Sequence, residues 1–211
     1  MTALAAVALV IAGLFALGDW YSRWRLNAPI EYVCKPGTLL ALIAAAALLD
    51  PKHDGVRVWF VAALVLSLAG DVALMLPKEQ FVGGLAAFLL AHVCYLGGFF
   101  AAGLGGPALV ISLVVTAVVL APVARRVLQG VQANEPALQV PVLAYLVVIG
   151  TMLAAAVASG NPIAAVGAVL FVASDSMIAW SKFVKPFAAA PVAIMVTYHL
   201  AQAGFVLSLL R

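Results

Sequence analysis

The chain has 211 residues, 66% of them hydrophobic and 9% charged, with a formal net charge of +3 and a mean hydropathy of +1.19. Soluble domains are close to half apolar and a quarter charged, so a water-soluble fold is excluded: apolar surface left outside so small a core would aggregate. The few basic residues form no run of the kind that binds nucleic acid.

A helix needs about 20 apolar residues to cross the bilayer core. Polar, proline or glycine breaks divide the chain into eight such stretches. The first, 1–18, lacks a basic leader segment and so reads as a membrane helix, not a cleaved signal. The second, 36–50, is short enough to be tilted or partly interfacial. The rest follow at 56–76, 81–103, 107–128, 137–158, 162–181 and 187–210. Brief loops make neighbouring helices antiparallel. Strands are not expected, because open sheet edges cannot be satisfied in lipid. The fold class is therefore an all-α membrane protein of about eight transmembrane helices. Cys34, beside a predicted helix end, and Cys94, in mid-helix, are not expected to pair.

Lysine and arginine placement sets orientation. The loops after predicted helices one, three, five and seven take Arg23, Arg25, Lys35, Lys78, Arg125, Arg126, Lys182 and Lys185, against Lys52, Arg57 and Arg211 on the other face. The first group is expected in the cytoplasm, with both termini on the far side.

The chain also echoes itself. VLSLAGD at 65–71 aligns with VLFVASD at 169–175, and a lysine, Lys78 or Lys182, follows each aspartate by seven residues. The expected organisation is one transmembrane domain, 1–211, with candidate repeat halves 1–105 and 106–211 in a four-plus-four parallel duplication. Chance matching in an Ala/Val/Leu-rich sequence is the alternative.

An ionisable group in the bilayer costs roughly 2.5–3.5 kcal/mol on insertion scales, so each one needs a reason. Asp71 and Asp175 fall late in predicted helices three and seven, at similar depth. His92 and Tyr95 lie near the middle of helix four, and Tyr198, His199 and Gln202 near the middle of helix eight. Ser174 flanks Asp175. Seven residues rise about 10.5 Å and return to nearly the same face, which places Lys78 and Lys182 above the aspartates. Lys35, read as opening helix two beside free helix-start amides, suits an anion such as a phosphate. Each residue also has a plainer reading: a structural ion pair for the aspartates, helix–helix hydrogen bonds for the histidines, interface anchors for Lys78 and Lys182, packing for the tyrosines. Trp20, Trp24, Trp59 and Trp180 read as an interfacial belt. The functional case rests on the convergence of the buried set.

The same residues carry a family resemblance. Lys35-Pro36, SLAGDVALMLP at 67–77, FVGGLAAFLLAHVCY at 81–95, LFVASDSMIAW at 170–180 and TYHLAQ at 197–202 together resemble the YhhN-like lysoplasmalogenases, over nearly the whole chain. The resemblance implies an enzyme that hydrolyses the vinyl ether bond of lysoplasmalogens, giving a fatty aldehyde and a glycerophospho-headgroup.

That chemistry protonates the outer alkene carbon, water adds to the resulting oxocarbenium ion, and the hemiacetal collapses. A buried carboxyl group, its charged form disfavoured by desolvation, can carry the proton. A second, ionised carboxylate can stabilise the cation, a division of labour that two-carboxylate glycosidases also use. Asp71 and Asp175 are expected to share these roles, in an order the sequence leaves open. His92, Tyr95, Tyr198 and His199 are expected to position water or the glycerol oxygen. Lys35, Lys78, Lys182, Ser174 and Gln202 are expected to bind substrate.

No cofactor is expected. The nearest rival is a metal-dependent lipid hydrolase with Asp71, His92, Asp175 and His199 as ligands, although no local ligand motif such as HExxH is present. A proton-coupled transporter is the rival from another class. The expected partners are a lysophospholipid and membrane lipids, with no nucleic acid and the oligomeric state open. The expected location is a bacterial inner membrane, the acidic side toward the cytoplasm.

Overall fold

The computed structural model describes residues 1–76 and 80–211. These form eight α-helices: α1 (Ala3–Arg25), α2 (Ala28–Leu48), α3 (Asp54–Met75), α4 (Phe81–Ala101), α5 (Pro107–Asn134), α6 (Gln139–Ala158), α7 (Pro162–Phe183) and α8 (Ala190–Ser208), with a 3-10 turn at Pro136–Leu138. All eight are long and apolar enough to span a bilayer, and there is no strand among the described residues. The protein is an integral, multi-pass membrane protein.

Seven of the helices make a ring. In the order α1, α2, α3, α4, α6, α7, α8, each packs on the next, and α8 closes onto α1 while also touching α2 and α3 across the interior. Among the described residues α5 lies outside this ring, against α6, α7 and the turn before α6, with no close backbone approach to α4. It is accordingly the least buried helix.

Lipid tails are as apolar as leucine, so close backbone approach and hydrogen bonds, not burial alone, hold such helices together. Ala5, Ala8, Ala12 and Ala16 put small residues on the buried stripe of α1. Gly167 and Gly204 let α7 and α8 cross so closely that a Cβ on Gly204 would stand 3.2 Å from the Gly167 Cα. The interior is filled by aromatics: Tyr95 stacks on Phe205 with ring centroids 4.2 Å apart, and Phe60 meets both edge-on.

Several boundaries differ from the sequence reading. α1 continues seven residues past 18, because Asp19 and Ser22 stay buried and its polar end is packed inside protein. α2 starts eight residues earlier than expected. Asn27 caps it by accepting from the Ile30 amide, Pro29 follows in the first turn, and Glu31 suits the positive helix start. Pro36 is thus inside the helix, a position that membrane helices tolerate. Lys35 does not stand at a helix N-terminus, which overturns the argument from free amides. Arg23, Arg25, Lys35 and Lys182, assigned to loops, are all helical, as are Arg125 and Arg126, which were counted with a loop although they fall within the 107–128 stretch. Cys34 lies within α2, and neither cysteine is in a disulfide.

Candidate active site

Asp71 enters the ring interior from α3 and is 2% exposed. The Lys35 ammonium, from α2, lies 3.0 Å from its Oδ1. The Tyr198 hydroxyl, from α8, donates to its Oδ2 at 2.7 Å. A buried charge survives only when it is paired and hydrogen-bonded. One carboxylate oxygen with a cation and the other with a phenol meet that condition, so the Asp71–Lys35 couple is an ion pair.

Asp175, from α7, is held differently. Tyr145, from α6, donates its hydroxyl proton to Oδ2. His92 Nε2, from α4, lies 3.0 Å from the Tyr145 oxygen and 3.3 Å from the same Oδ2. Since the phenol's one proton goes to Asp175, the imidazole donates: this network assigns the proton to Nε2. Its Nδ1 is buried without a partner. Both donors converge on one oxygen of Asp175.

Asp71 and Asp175 line one cavity of about 160 Å³, together with Arg23, Lys35, Ser174 and Tyr198. That is roomy enough to hold water among polar partners. On its far side Asp175 also lines an apolar cleft of about 100 Å³, walled by α4, α5, α6 and α7, with Phe81, Leu85, Val127 and Leu146 among its residues. Leu74, Phe88 and Ile178 border both spaces. Asp175 therefore stands where a pocket bearing charged side chains meets an apolar one.

Other candidates lie elsewhere. Tyr95 donates to the Gln202 side chain within the aromatic core, away from the cavity. The His199 ring accepts at Nδ1 from Trp20 Nε1 at 3.1 Å and faces a different groove. Trp20 is consequently a helix-packing residue with a committed N–H, not a belt residue, whereas Trp24 is 68% exposed. The Lys182 ammonium lies 3.8 Å from Glu135 and 4.2 Å from the Phe81 ring centre, so it does not stand over Asp175 in the cavity. Lys78 falls outside the described residues. The four side chains of the metal reading are divided: Asp71 goes to Lys35, His92 to Asp175, and His199 to Trp20. Among the described residues no group of three or more His, Cys, Asp or Glu side chains is placed to hold a metal ion.

The sequence reading missed three members of the site region. Tyr145, a single aromatic within an apolar run, was not among the candidates. Arg23 was counted only for topology, yet it lines the cavity and binds Glu31 at 2.6 Å. Asp19 fell beyond the expected end of helix one; it is fully buried, with Arg23 Nε 3.9 Å from its Oδ1. The signal for the last two was available, since Asp19 and Arg23 are one helical turn apart and an Asn-Ala-Pro cap follows at 27–29.

Eight membrane helices, six of which line a cavity with two carboxylates that abuts an apolar cleft, define a polytopic membrane protein with an intramembrane site shaped for an amphiphile. Comparison with known proteins makes this specific. The chain belongs to the YhhN family, whose model matches residues 30–209. It is 36% identical over 177 residues to a lysoplasmalogenase of Mycobacterium tuberculosis, covering 80% of this chain and 67% of that protein. It is 38% identical over 149 residues to the human lysoplasmalogenase TMEM86B, covering 71% of this chain and 62% of that protein. An uncharacterized membrane protein YhhN of Escherichia coli is 33% identical over 78 residues, 37% of this chain and 33% of that protein. No solved structure matches.

Proposed function

We propose that this protein hydrolyses the vinyl ether bond of lysoplasmalogens, with Asp175 as the proton donor. The relatives named lysoplasmalogenase support the reaction class. The observation that carries the assignment is the position of Asp175 at the junction of the two spaces. A lysoplasmalogen has its scissile bond at the same kind of junction, between a polar glycerophospho part and an apolar chain. With the chain in the α4–α7 cleft and the headgroup in the cavity, the vinyl ether lies beside Asp175.

The remaining side chains then acquire roles. Protonated on Oδ1, Asp175 still accepts from Tyr145 and His92 on Oδ2. The Oδ1 proton passes to the outer alkene carbon, and the alkene electron pair forms the new C–H bond. The carbon next to oxygen becomes the oxocarbenium centre. As the proton leaves, the two donors on Oδ2 stabilise the carboxylate left behind, favouring transfer in the transition state. Asp71, already ionised against Lys35, contributes negative potential to the cation. Asp175 next accepts a proton from the attacking water, and the hemiacetal releases the aldehyde and the glycerol hydroxyl. Arg23 and Lys35 hold the phosphate. No cofactor enters these steps. In a bacterial inner membrane, orientation by the basic ends of the helices puts this cavity in the cytoplasmic half.

The test is mass spectrometry of purified protein given a lysoplasmalogen and its saturated ether analogue. The expected result is aldehyde from the first and none from the second, since only the alkene can be protonated to an oxocarbenium ion. Absence of aldehyde from both, with folded protein, rejects the reaction. Unchanged turnover in Asp175→Asn rejects its role.

A further inference from the structure

His199 lies outside the site just described. Trp Nε1–H can only donate, so His199 Nδ1, which receives it at 3.1 Å, must be a bare acceptor. An imidazolium has no bare nitrogen, so the ring is neutral and its proton is on Nε2. That Nε2 is buried and has no hydrogen-bond partner, and the residue is 3% exposed. An unmade hydrogen bond at such a depth is costly.

The ring lines a groove of about 430 Å³ between α1, α2 and α8, walled by Leu9, Leu17, Leu42 and Ala203. No charged side chain lines it, and the Thr38 hydroxyl within it is committed to the Cys34 carbonyl at 2.9 Å. The ligand that fits is apolar along its length and uncharged, with one hydrogen-bond acceptor. His199 is also near the middle of α8, at the depth of the acyl chains rather than of ester carbonyls or headgroups.

The groove and the catalytic cavity draw on neighbouring residues of α1, α2 and α8. Arg23, Lys35 and Tyr198 line the cavity, and Trp20, Thr38 and His199 line the groove within one turn of them, while α3, α4 and α7 complete the cavity alone. Among the molecules of the reaction, the lysolipid and the glycerophospho product carry charge that the groove cannot meet. The long-chain aldehyde carries one carbonyl oxygen and no charge.

We propose that this groove is a binding site for the fatty aldehyde product, with His199 Nε2–H donating to its carbonyl oxygen. The assignment of the ligand rests on the vinyl ether reading, but the binding does not require turnover, so the two can fail separately.

The experiment is infrared spectroscopy of hexadecanal, ¹³C-labelled at the carbonyl, titrated into the protein in nanodiscs, with empty nanodiscs as the reference. The expected result is a saturable carbonyl band shifted to lower frequency from its position in lipid. In His199→Leu the shifted band disappears. In Ala203→Phe, which fills the groove and leaves His199 intact, affinity falls about tenfold or more, on the scale of one lost buried contact. Hexadecane added at equal concentration leaves the shifted band largely in place, because it offers no acceptor. A shifted band that persists in both variants, or no saturable band in the wild type, overturns the proposal. If aldehyde binds in this way while lysoplasmalogen is not cleaved, the groove stands and the reaction falls.

Discussion

At the residue scale the two aspartates are unlike, and their variants should fail in different ways. Asp175→Asn keeps a similar shape and removes the proton whose transfer we propose. Turnover should drop by about 10²–10⁴-fold, with KM and thermal stability nearly unchanged. Asp71→Asn instead leaves the Lys35 ammonium buried without its counter-charge, a loss on the order of 3–5 kcal/mol. Thermal unfolding in detergent should show a large fall, and a paired Lys35→Met, Asp71→Leu variant should recover stability without recovering activity. Recovery of both would leave the pair with a structural role only. Tyr145→Phe removes one of two donors on Asp175 Oδ2, so the rate should fall by roughly tenfold with little effect on KM, since one such donor is worth on the order of a kcal/mol. Asp71 and Asp175 were visible in the sequence because any acid in an apolar run is conspicuous. Their different partners were not, because Lys35, Tyr198, Tyr145 and His92 come from four other helices and no local spacing records who faces whom.

At the element scale, the helices were legible and their ends were not. Runs of about 20 apolar residues are set by bilayer thickness, so counting finds them. Helix ends inside protein obey another rule: the last turns of α1 stay helical because Asp19, Ser22 and Arg23 meet partners there. Hydropathy alone reads such residues as loop. The peripheral α5 approaches α7 closely at Gly130, where a Cβ would come within 2.0 Å of the Phe183 carbonyl oxygen. Gly130→Val should push α5 from α7 and distort the cleft between them. A lower midpoint in thermal unfolding, together with a raised KM for long-chain substrate, is the expected outcome; unchanged values of both would show that the contact does not shape the cleft.

At the scale of the whole molecule, the proposed orientation rests on charge. Single cysteines placed at 26 and 186, in a background with Cys34 and Cys94 replaced by alanine, should react with a membrane-impermeant maleimide only from the cytoplasmic side, and cysteines at 104 and 160 only from the other. The reverse pattern would move the cavity to the opposite leaflet. The ring closed by α8 on α1 could not be read from the sequence, since it joins residues nearly the whole chain apart.

The apolar cleft beside Asp175 is walled by four helices, each long and apolar enough to cross a bilayer. A substrate that is itself a membrane lipid reaches such a cleft by diffusion in two dimensions. What governs the rate is the mole fraction of substrate in the membrane, not its amount per volume of buffer. Diluting a fixed quantity of substrate with inert lipid or detergent should slow turnover in proportion, even though nothing in the surrounding water has changed.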